Sequence, residues 1–189
     1  MYPKLVAIFA ALPLLLAGCQ STRVDDIGVE PTKVNPRTSP GIQLNTEDQA
    51  KVDAVWANYL KLNSIYIKAA QTGTYNWDDD PAKRPLYEYA AGQFLAALER
   101  DLDFMNEQGI VRTGETKVSL RRVVSVSPTS ILVESCVDDS AVDSVDKTTR
   151  KSVAAPNQNK RYPVTLRAGL YPDGIWRWVQ SQADRSSTC

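Results

Sequence analysis

The chain has 189 residues, 43% of them hydrophobic, and its 22 Lys and Arg side chains are balanced by 22 Asp and Glu side chains. A domain that binds nucleic acid normally carries a basic excess on one face, so the composition argues against a nucleic-acid partner. Histidine is absent from the whole sequence, which removes the commonest general base, the Ser–His and Cys–His nucleophile pairs and the usual zinc ligand. We therefore expect no catalytic motif, no metal and no cofactor.

Residues 1–18 have the layout of a signal peptide, with Lys4 near the start and a mostly apolar run from Leu5 to Leu16. This run is too short to cross a bilayer, which takes roughly 20 apolar residues. The tetrapeptide Leu16-Ala17-Gly18-Cys19 resembles the lipobox of bacterial lipoproteins. The resemblance implies that Cys19 is lipidated and becomes the first residue of the mature chain. The other interpretations are a cleaved secretory signal with a chance cysteine, or a short uncleaved anchor.

A lipid on Cys19 predicts where the protein resides. The product would be anchored outside the cytoplasm, on the outer face of the plasma membrane or at the outer membrane of a Gram-negative host. Residues 19–45 contain apolar residues without a period, together with prolines that do not fit helix interiors or central strands. We interpret them as the lipidated cysteine and a flexible tether, followed by one domain over residues 46–189.

Two helical patterns open this domain. Thr46-Glu47-Asp48-Gln49 fits a capping box, and apolar residues then recur at spacings of three and four until Gly73, which predicts a long amphipathic helix. A second helical pattern runs from about Pro85 to Gln108, with Gly92 as a position where it kinks or splits.

The period then changes from helix to strand. Lys117 to Ser127 and Ile131 to Val137 predict one hairpin, and Tyr162 to Leu170 and Ile175 to Gln182 predict a second. A further short strand is expected near Ala141 to Val145. Helices followed by antiparallel strands indicate an α+β fold with the helices packed on one face of the sheet.

Outside the lipobox the sequence has two cysteines, Cys136 and Cys189. An even pair in a compartment where disulfides persist favours a bond between them. Such a bond would hold the C-terminal residues against the sheet. The alternative is a free Cys189 at a frayed terminus.

Several segments together resemble a known fold. The long helix, the broken second helix and the last strand, Asp173-Gly174-Ile175-Trp176-Arg177-Trp178, are similar to the NTF2-like or SnoaL-like cone fold over residues 46–182. Tyr89-Ala90-Ala91-Gly92, Arg122 to Pro128, Cys136 to Ser140 and the terminal cysteine resemble a group of actinobacterial lipoproteins of unknown function with that fold. The resemblance implies no activity, because this fold hosts enzymes, binding proteins and scaffolds.

Enzymes of the cone fold use a carboxylate base with a tyrosine donor in an apolar pocket. Side chains of these types are present, but none lies in a spacing that distinguishes it, and Asp101 and Asp103 are expected on the solvated face of the second helix. The candidates are Tyr59, Tyr66, Tyr87, Asp101, Asp103 and Glu134.

The sequence therefore favours a non-catalytic module that binds a protein partner or a small apolar ligand. A cone-fold enzyme with a carboxylate–tyrosine pocket, of the isomerase or cyclase type, is the first alternative. A structural envelope protein or a phage-encoded exclusion lipoprotein is the second. The residues expected to line a pocket are aromatic: Trp56, Tyr59, Tyr66, Tyr87, Trp176 and Trp178.

Overall fold

The computed structural model describes residues 41–189 of the chain. The predicted signal peptide, the predicted lipobox Leu16-Ala17-Gly18 with Cys19 and most of the predicted tether lie outside the described residues. Within residues 41–189, no helix combines the length and the apolar character that a membrane span needs.

The first helix, α1, extends over Thr46–Thr72. Its N-cap is Asn45, one residue before the expected start of the capping box, and the Asn45 side chain accepts a hydrogen bond from the Asp48 backbone N–H at 2.8 Å. Gly73 ends the helix in the left-handed conformation (φ 66°), and its N–H donates to the Ala69 carbonyl. The sequence prediction for this helix is confirmed except for its cap.

Replacing Asn45 by alanine is expected to lower the free energy of unfolding by about 1 kcal/mol, because the first turn loses its side-chain acceptor. Thr46→Ala is the matched control, since it leaves the hydrogen bond between Asn45 and Asp48 in place. Urea denaturation followed by circular dichroism measures both variants. Equal losses would contradict the assignment of Asn45 as the cap.

The second helix is shorter than the sequence pattern predicts. Pro81–Lys83 and Pro85–Glu88 form two short 3-10 turns, and the α-helix α2 covers only Gly92–Glu107. The chain leaves the helical path before Gly92 because its backbone bonds elsewhere. The Ala91 N–H donates to the Trp178 carbonyl and the Trp178 N–H donates to the Tyr89 carbonyl, each at 2.9 Å.

Six strands follow: β1 (Ile110–Thr113), β2 (Lys117–Val126), β3 (Ser130–Asp138), β4 (Asp143–Asp146), β5 (Arg161–Leu170) and β6 (Trp176–Ala183). Strands β2-β3-β5-β6 form one antiparallel sheet in that order, which confirms both predicted hairpins. Register shifts in the β2–β3 and β5–β6 pairs add curvature to the sheet. Ahead of α1, the Ile42 N–H donates to the Val123 carbonyl of β2 at 3.2 Å. The α+β class predicted from the sequence is confirmed.

Strands β1 and β4 form a separate two-stranded ribbon that pairs Ile110 with Asp146 and Thr113 with Asp143. Strand β1 was not predicted, because four residues are too few to display a period. Gly114 follows it with φ 80°, and a Cβ added there would lie 1.8 Å from the Ala141 carbonyl oxygen. Only a residue without a side chain allows the chain to pass this close to the loop that precedes β4.

The core lies between the two helices and the inner face of the sheet. The fully buried side chains are contributed by α1, the turn before α2 and the three strands β3, β5 and β6, so every layer takes part. The largest of them are Trp178, Leu62, Leu86, Ile131 and Leu166.

The structure joins Cys136 to Cys189 in a disulfide with a Cα–Cα distance of 5.8 Å, the pairing expected from the sequence. Cys136 lies within β3, in the middle of the sheet. The bond therefore brings the last residue of the chain back to the sheet after β6 has ended at Ala183.

Candidate functional site

A cavity of about 290 Å³ lies between α1, α2 and the sheet. This volume is close to the lower end of small-molecule sites, roughly 300 Å³. A second cavity, of about 250 Å³ near Tyr75 and Trp77, is lined by no charged side chain. The first cavity combines charged and apolar walls, and the apolar ones include Leu62, Phe94, Leu98, Val118, Val137 and Val164.

A cluster of three polar side chains, Tyr66, Asp101 and Arg112, connects α1, α2 and β1 at this cavity. The Tyr66 hydroxyl of α1 donates to the Asp101 carboxylate of α2, and Arg112 of β1 forms an ion pair with the same carboxylate at 3.1 Å. The Arg112 guanidinium also lies over the Tyr66 ring, 5.3 Å from its centre. Burial, which outweighs the opposing charge of Arg112, raises the pKa of Tyr66 above its ordinary value.

A second cluster, on the sheet side of the cavity, also combines a tyrosine, an aspartate and an arginine: Tyr162, Asp139 and Arg185. The Tyr162 hydroxyl donates to Asp139 at 3.0 Å and accepts from Arg185 at 2.8 Å, while the Arg185 guanidinium lies 3.9 Å from the centre of the Tyr162 ring. Thr116 donates to the other Asp139 oxygen at 2.6 Å. Burial and the Asp139 charge raise the pKa of Tyr162 to about 12. Both tyrosines are therefore neutral hydrogen-bonding groups at physiological pH.

Tyr59 differs from these two tyrosines. Its side chain is only 7% exposed and lines the cavity, yet its hydroxyl has no hydrogen-bond partner among residues 41–189. Burial, followed by the nearby Tyr162 and Asp139, raises its pKa, so it stays protonated. The hydroxyl is not one of the fully buried polar atoms that lack a partner, so water or a bound molecule in the cavity can supply its hydrogen bond.

Comparison with known proteins gives the fold context. No protein-family model and no curated protein matches the chain. Among solved structures, the intermembrane-space region of the chloroplast protein ARC6 is 15% identical, with 75% of this chain and 98% of that chain covered and a TM-score of 0.46. A ketosteroid isomerase-like protein from Erwinia carotovora atroseptica is 18% identical, with 76% and 99% covered and a TM-score of 0.43.

A protein from Catenulispora acidiphila is 15% identical, with 74% of this chain and 95% of that chain covered and a TM-score of 0.41. Similarities at this level carry no argument about activity, ligand or partner. The α+β class rests on the helices and strands of the chain itself, and the relationship to the NTF2-like cone remains a resemblance.

The structure brings two of the six expected pocket residues to the cavity, Tyr59 and Tyr66. Trp56 and Trp178 are not among the lining residues and pack around Tyr59 instead, with ring centroids at 4.9 and 5.2 Å from the Tyr59 ring. Tyr87 lies against Arg177, with 5.4 Å between the guanidinium and the ring centre. Trp176 is partly buried against the core and does not line the cavity either.

Of the three candidate carboxylates, only Asp101 lines the cavity. Asp101 was expected on the solvated face of the second helix, and its side chain is 41% exposed; it also lines the cavity and is bonded to Tyr66 and Arg112, which was not predicted. Asp103 is exposed, as expected. Glu134 is buried in β3 away from the cavity, where it forms ion pairs with Arg121 and Arg122 at 2.7 and 2.9 Å.

Seven polar residues of the cavity were not predicted as its lining: Asn63, Arg112, Thr116, Asp139, Tyr162, Ser181 and Arg185. Tyr162 begins the alternating run of β5, but Arg112 on a short strand, Asp139 in a loop and Arg185 in the C-terminal tail have no period that marks them. The one signal that pointed to the tail was the cysteine pair. Within residues 41–189, no cluster of three or more Cys, Asp or Glu side chains has the arrangement of a metal site.

Proposed function

We propose that this protein is a lipid-anchored, extracytoplasmic binding module that takes a small, mainly apolar and uncharged molecule into the 290 Å³ cavity. The observation that supports this most directly is Tyr59, which lines the cavity and whose hydroxyl has no hydrogen-bond partner among residues 41–189 and is left for a ligand. A ligand with an apolar body and one hydrogen-bonding group would fill the apolar walls and supply that partner.

The charges of the cavity favour an uncharged ligand. Asp101 and Asp139 are accompanied by Arg112 and Arg185, so the formal charges of these four side chains cancel. An ionised ligand would add an unbalanced charge to a partly buried site, which costs several kcal/mol when it is not paired. The polar groups then serve to orient the ligand.

The anchor is supported by the sequence alone. The segment from Leu16 to Cys19 follows a signal-like run, and roughly 25 residues separate Cys19 from α1. Stable membrane attachment takes two acyl chains or a second signal, which a diacylglyceryl group on Cys19 would supply. The folded domain would then remain in the compartment outside the cytoplasm while its ligand cavity stays open to that compartment.

The arrangement of the carboxylates favours binding over catalysis. Asp139 accepts a hydrogen bond at each oxygen, from Thr116 and from Tyr162. Asp101 is held in an ion pair by Arg112 and accepts the Tyr66 hydroxyl at the same oxygen. Neither carboxylate is isolated in an apolar environment, the condition that makes an effective base near neutral pH.

One observation favours an enzyme as the second candidate. Tyr66 and Arg112 both bond to the Oδ2 atom of Asp101, and its Oδ1 atom accepts no hydrogen bond from residues 41–189. An isomerase-type reaction would use that oxygen as the base and a tyrosine as the donor. Incubating the released ligand with fresh protein separates the candidates: an unchanged molecule supports binding, and a converted one supports catalysis.

Native mass spectrometry of the protein secreted through an oxidising compartment tests the proposal. We expect a stoichiometric adduct that disappears on denaturation. Ala97 lies at the exposed margin of the cavity, so Ala97→Trp should block entry and abolish the adduct without disturbing the core. Ala96→Trp is the matched control, because Ala96 is equally exposed and does not line the cavity.

Two outcomes contradict the proposal. An adduct that persists in Ala97→Trp would place the ligand elsewhere on the molecule. An adduct-free wild-type protein would direct the search to a protein partner.

A further inference from the structure

The C-terminal tail, residues 184–189, supplies one wall of the cavity. Arg185 is the tail residue that lines it, and its guanidinium donates to the Tyr162 hydroxyl at 2.8 Å and to the Asn159 carbonyl at 3.2 Å. The position of the tail therefore sets the position of Arg185 and, through Tyr162, the second polar group of the site.

The disulfide is the covalent attachment of this tail to the sheet, and its other attachments are non-covalent. None of the residues 184–188 is buried, and none contributes an apolar side chain to the core. The Asn159 side chain donates to the Arg185 and Ser187 carbonyls, and the Asp184 N–H donates to Pro163. Arg185 adds its own hydrogen bonds to Tyr162 and Asn159 and its contact with the Tyr162 ring. Partly exposed hydrogen bonds of this kind contribute little each, and chain termini fray unless they are tied down.

We propose that the Cys136–Cys189 disulfide is a redox control on ligand retention: reduction frees the tail, withdraws Arg185 from the cavity and weakens binding. This inference rests on the proposed binding function. It concerns the regulation of the same site and adds no second ligand. Cys189 is the more exposed half of the bond, since it is partly exposed while Cys136 is only 7% exposed, so attack by a reductant is expected at Cys189.

The chemical step is a thiol–disulfide exchange with a dithiol. One thiolate of the dithiol attacks the Cys189 sulfur, the Cys136–Cys189 bond breaks, and the second thiol of the reductant closes its own disulfide. Two electrons and two protons pass to the protein, which ends with two free thiols. Reduction is expected to leave the hydrophobic core folded, because no residue of the tail belongs to the core in which Trp178 and the helices pack.

Fluorescence titration of the purified protein with prodan, an uncharged naphthalene ketone, tests the inference. We expect the oxidised protein to bind prodan and the protein reduced with dithiothreitol to bind it about tenfold more weakly, a change of about 1.4 kcal/mol. The Cys136→Ser/Cys189→Ser double variant should match the reduced protein with and without dithiothreitol. Circular dichroism and tryptophan fluorescence in the same samples should remain those of the folded chain.

Arg185→Gln distinguishes an effect of the tail from a general loosening. If the disulfide acts through Arg185, this variant binds prodan weakly when oxidised and shows no further loss on reduction. Arg100→Gln is the control, because Arg100 is exposed on α2 and does not line the cavity. It should keep both the affinity and the redox response of the wild type.

The failures of the two proposals are distinguishable. Equal prodan affinity before and after reduction overturns the redox control and leaves the binding function standing. Loss of the circular dichroism signal on reduction overturns it as well, because unfolding would then explain the weaker binding. Absence of prodan binding to the oxidised protein, or unchanged binding in Ala97→Trp, overturns the proposed function itself.

Discussion

Trp178→Ala is expected to lower the free energy of unfolding by about 3–5 kcal/mol, the usual cost of removing a large buried aromatic side chain. Trp178 is 1% exposed, and its ring lies 5.2 Å from Tyr59 and 6.3 Å from Trp56, edge-on to each. The variant leaves a void where three aromatic rings from α1 and β6 meet. Urea denaturation followed by circular dichroism at 222 nm measures the free energy of unfolding of both proteins.

Trp77→Ala serves as the control for this variant. Trp77 is 40% exposed and contacts Tyr75 and Arg84 at the surface, so its removal should cost about 1 kcal/mol or less. If the two tryptophan variants lost the same stability, the aromatic cluster around Trp178 would not be the centre of the core. The same void would also release Tyr59, and prodan affinity should fall with it.

Glu134→Ala is expected to have an effect of similar size. Glu134 is 2% exposed and forms ion pairs with Arg121 and Arg122 at 2.7 and 2.9 Å. The Arg122 side chain is itself only 12% exposed. Removing the carboxylate deprives two guanidinium groups of their shared counter-charge. Breaking a buried ion pair from one side costs about 3–5 kcal/mol.

Glu115→Ala is the matched control for the charge, since Glu115 is exposed just before β2. It should change stability by about 0.5 kcal/mol or less. Thermal unfolding at low and high salt separates the two variants, because screening affects an exposed charge more than a buried pair. A Glu134→Ala protein as stable as Glu115→Ala would mean that the ion pairs contribute nothing.

The sequence predicted the elements that carry a long period and missed those fixed by distant contacts. Apolar residues at helical spacing located α1 to within its cap, and alternation, together with a β-branched apolar run for β3, located the four strands of the main sheet. Gly92 marked the break in the second helical pattern. The earlier start predicted at Pro85 was wrong because residues 89–91 bond to β6, a contact about ninety positions away in the chain that no local pattern encodes.

The cavity residues also divide into those that a local period marks and those that only distant contacts bring to the site. Tyr59 and Tyr66 were found because the period of α1 places them on its inner face. Arg112 reaches the site through the short β1, and Arg185 through the disulfide. Their roles depend on which segments meet in space, so composition and spacing could not assign them. The solvent exposure of Asp101 was predicted, but its bonds to a tyrosine of α1 and an arginine of β1 were not, because the pattern of α2 does not reveal that these residues approach it.

The hydrogen bonds at the two outer strands of the main sheet bear on self-association. On the outer side of β2, the Ile42 N–H donates to a carbonyl of the strand. On the outer side of β6, the Trp178 N–H and carbonyl bond to the backbone of Tyr89 and Ala91. Unpaired strand edges are templates for edge-to-edge aggregation. With both edges partly capped by the chain's own segments, a neighbouring copy finds fewer backbone groups to pair with, which would matter most under the proposed lipid anchor, because an anchor concentrates copies in two dimensions.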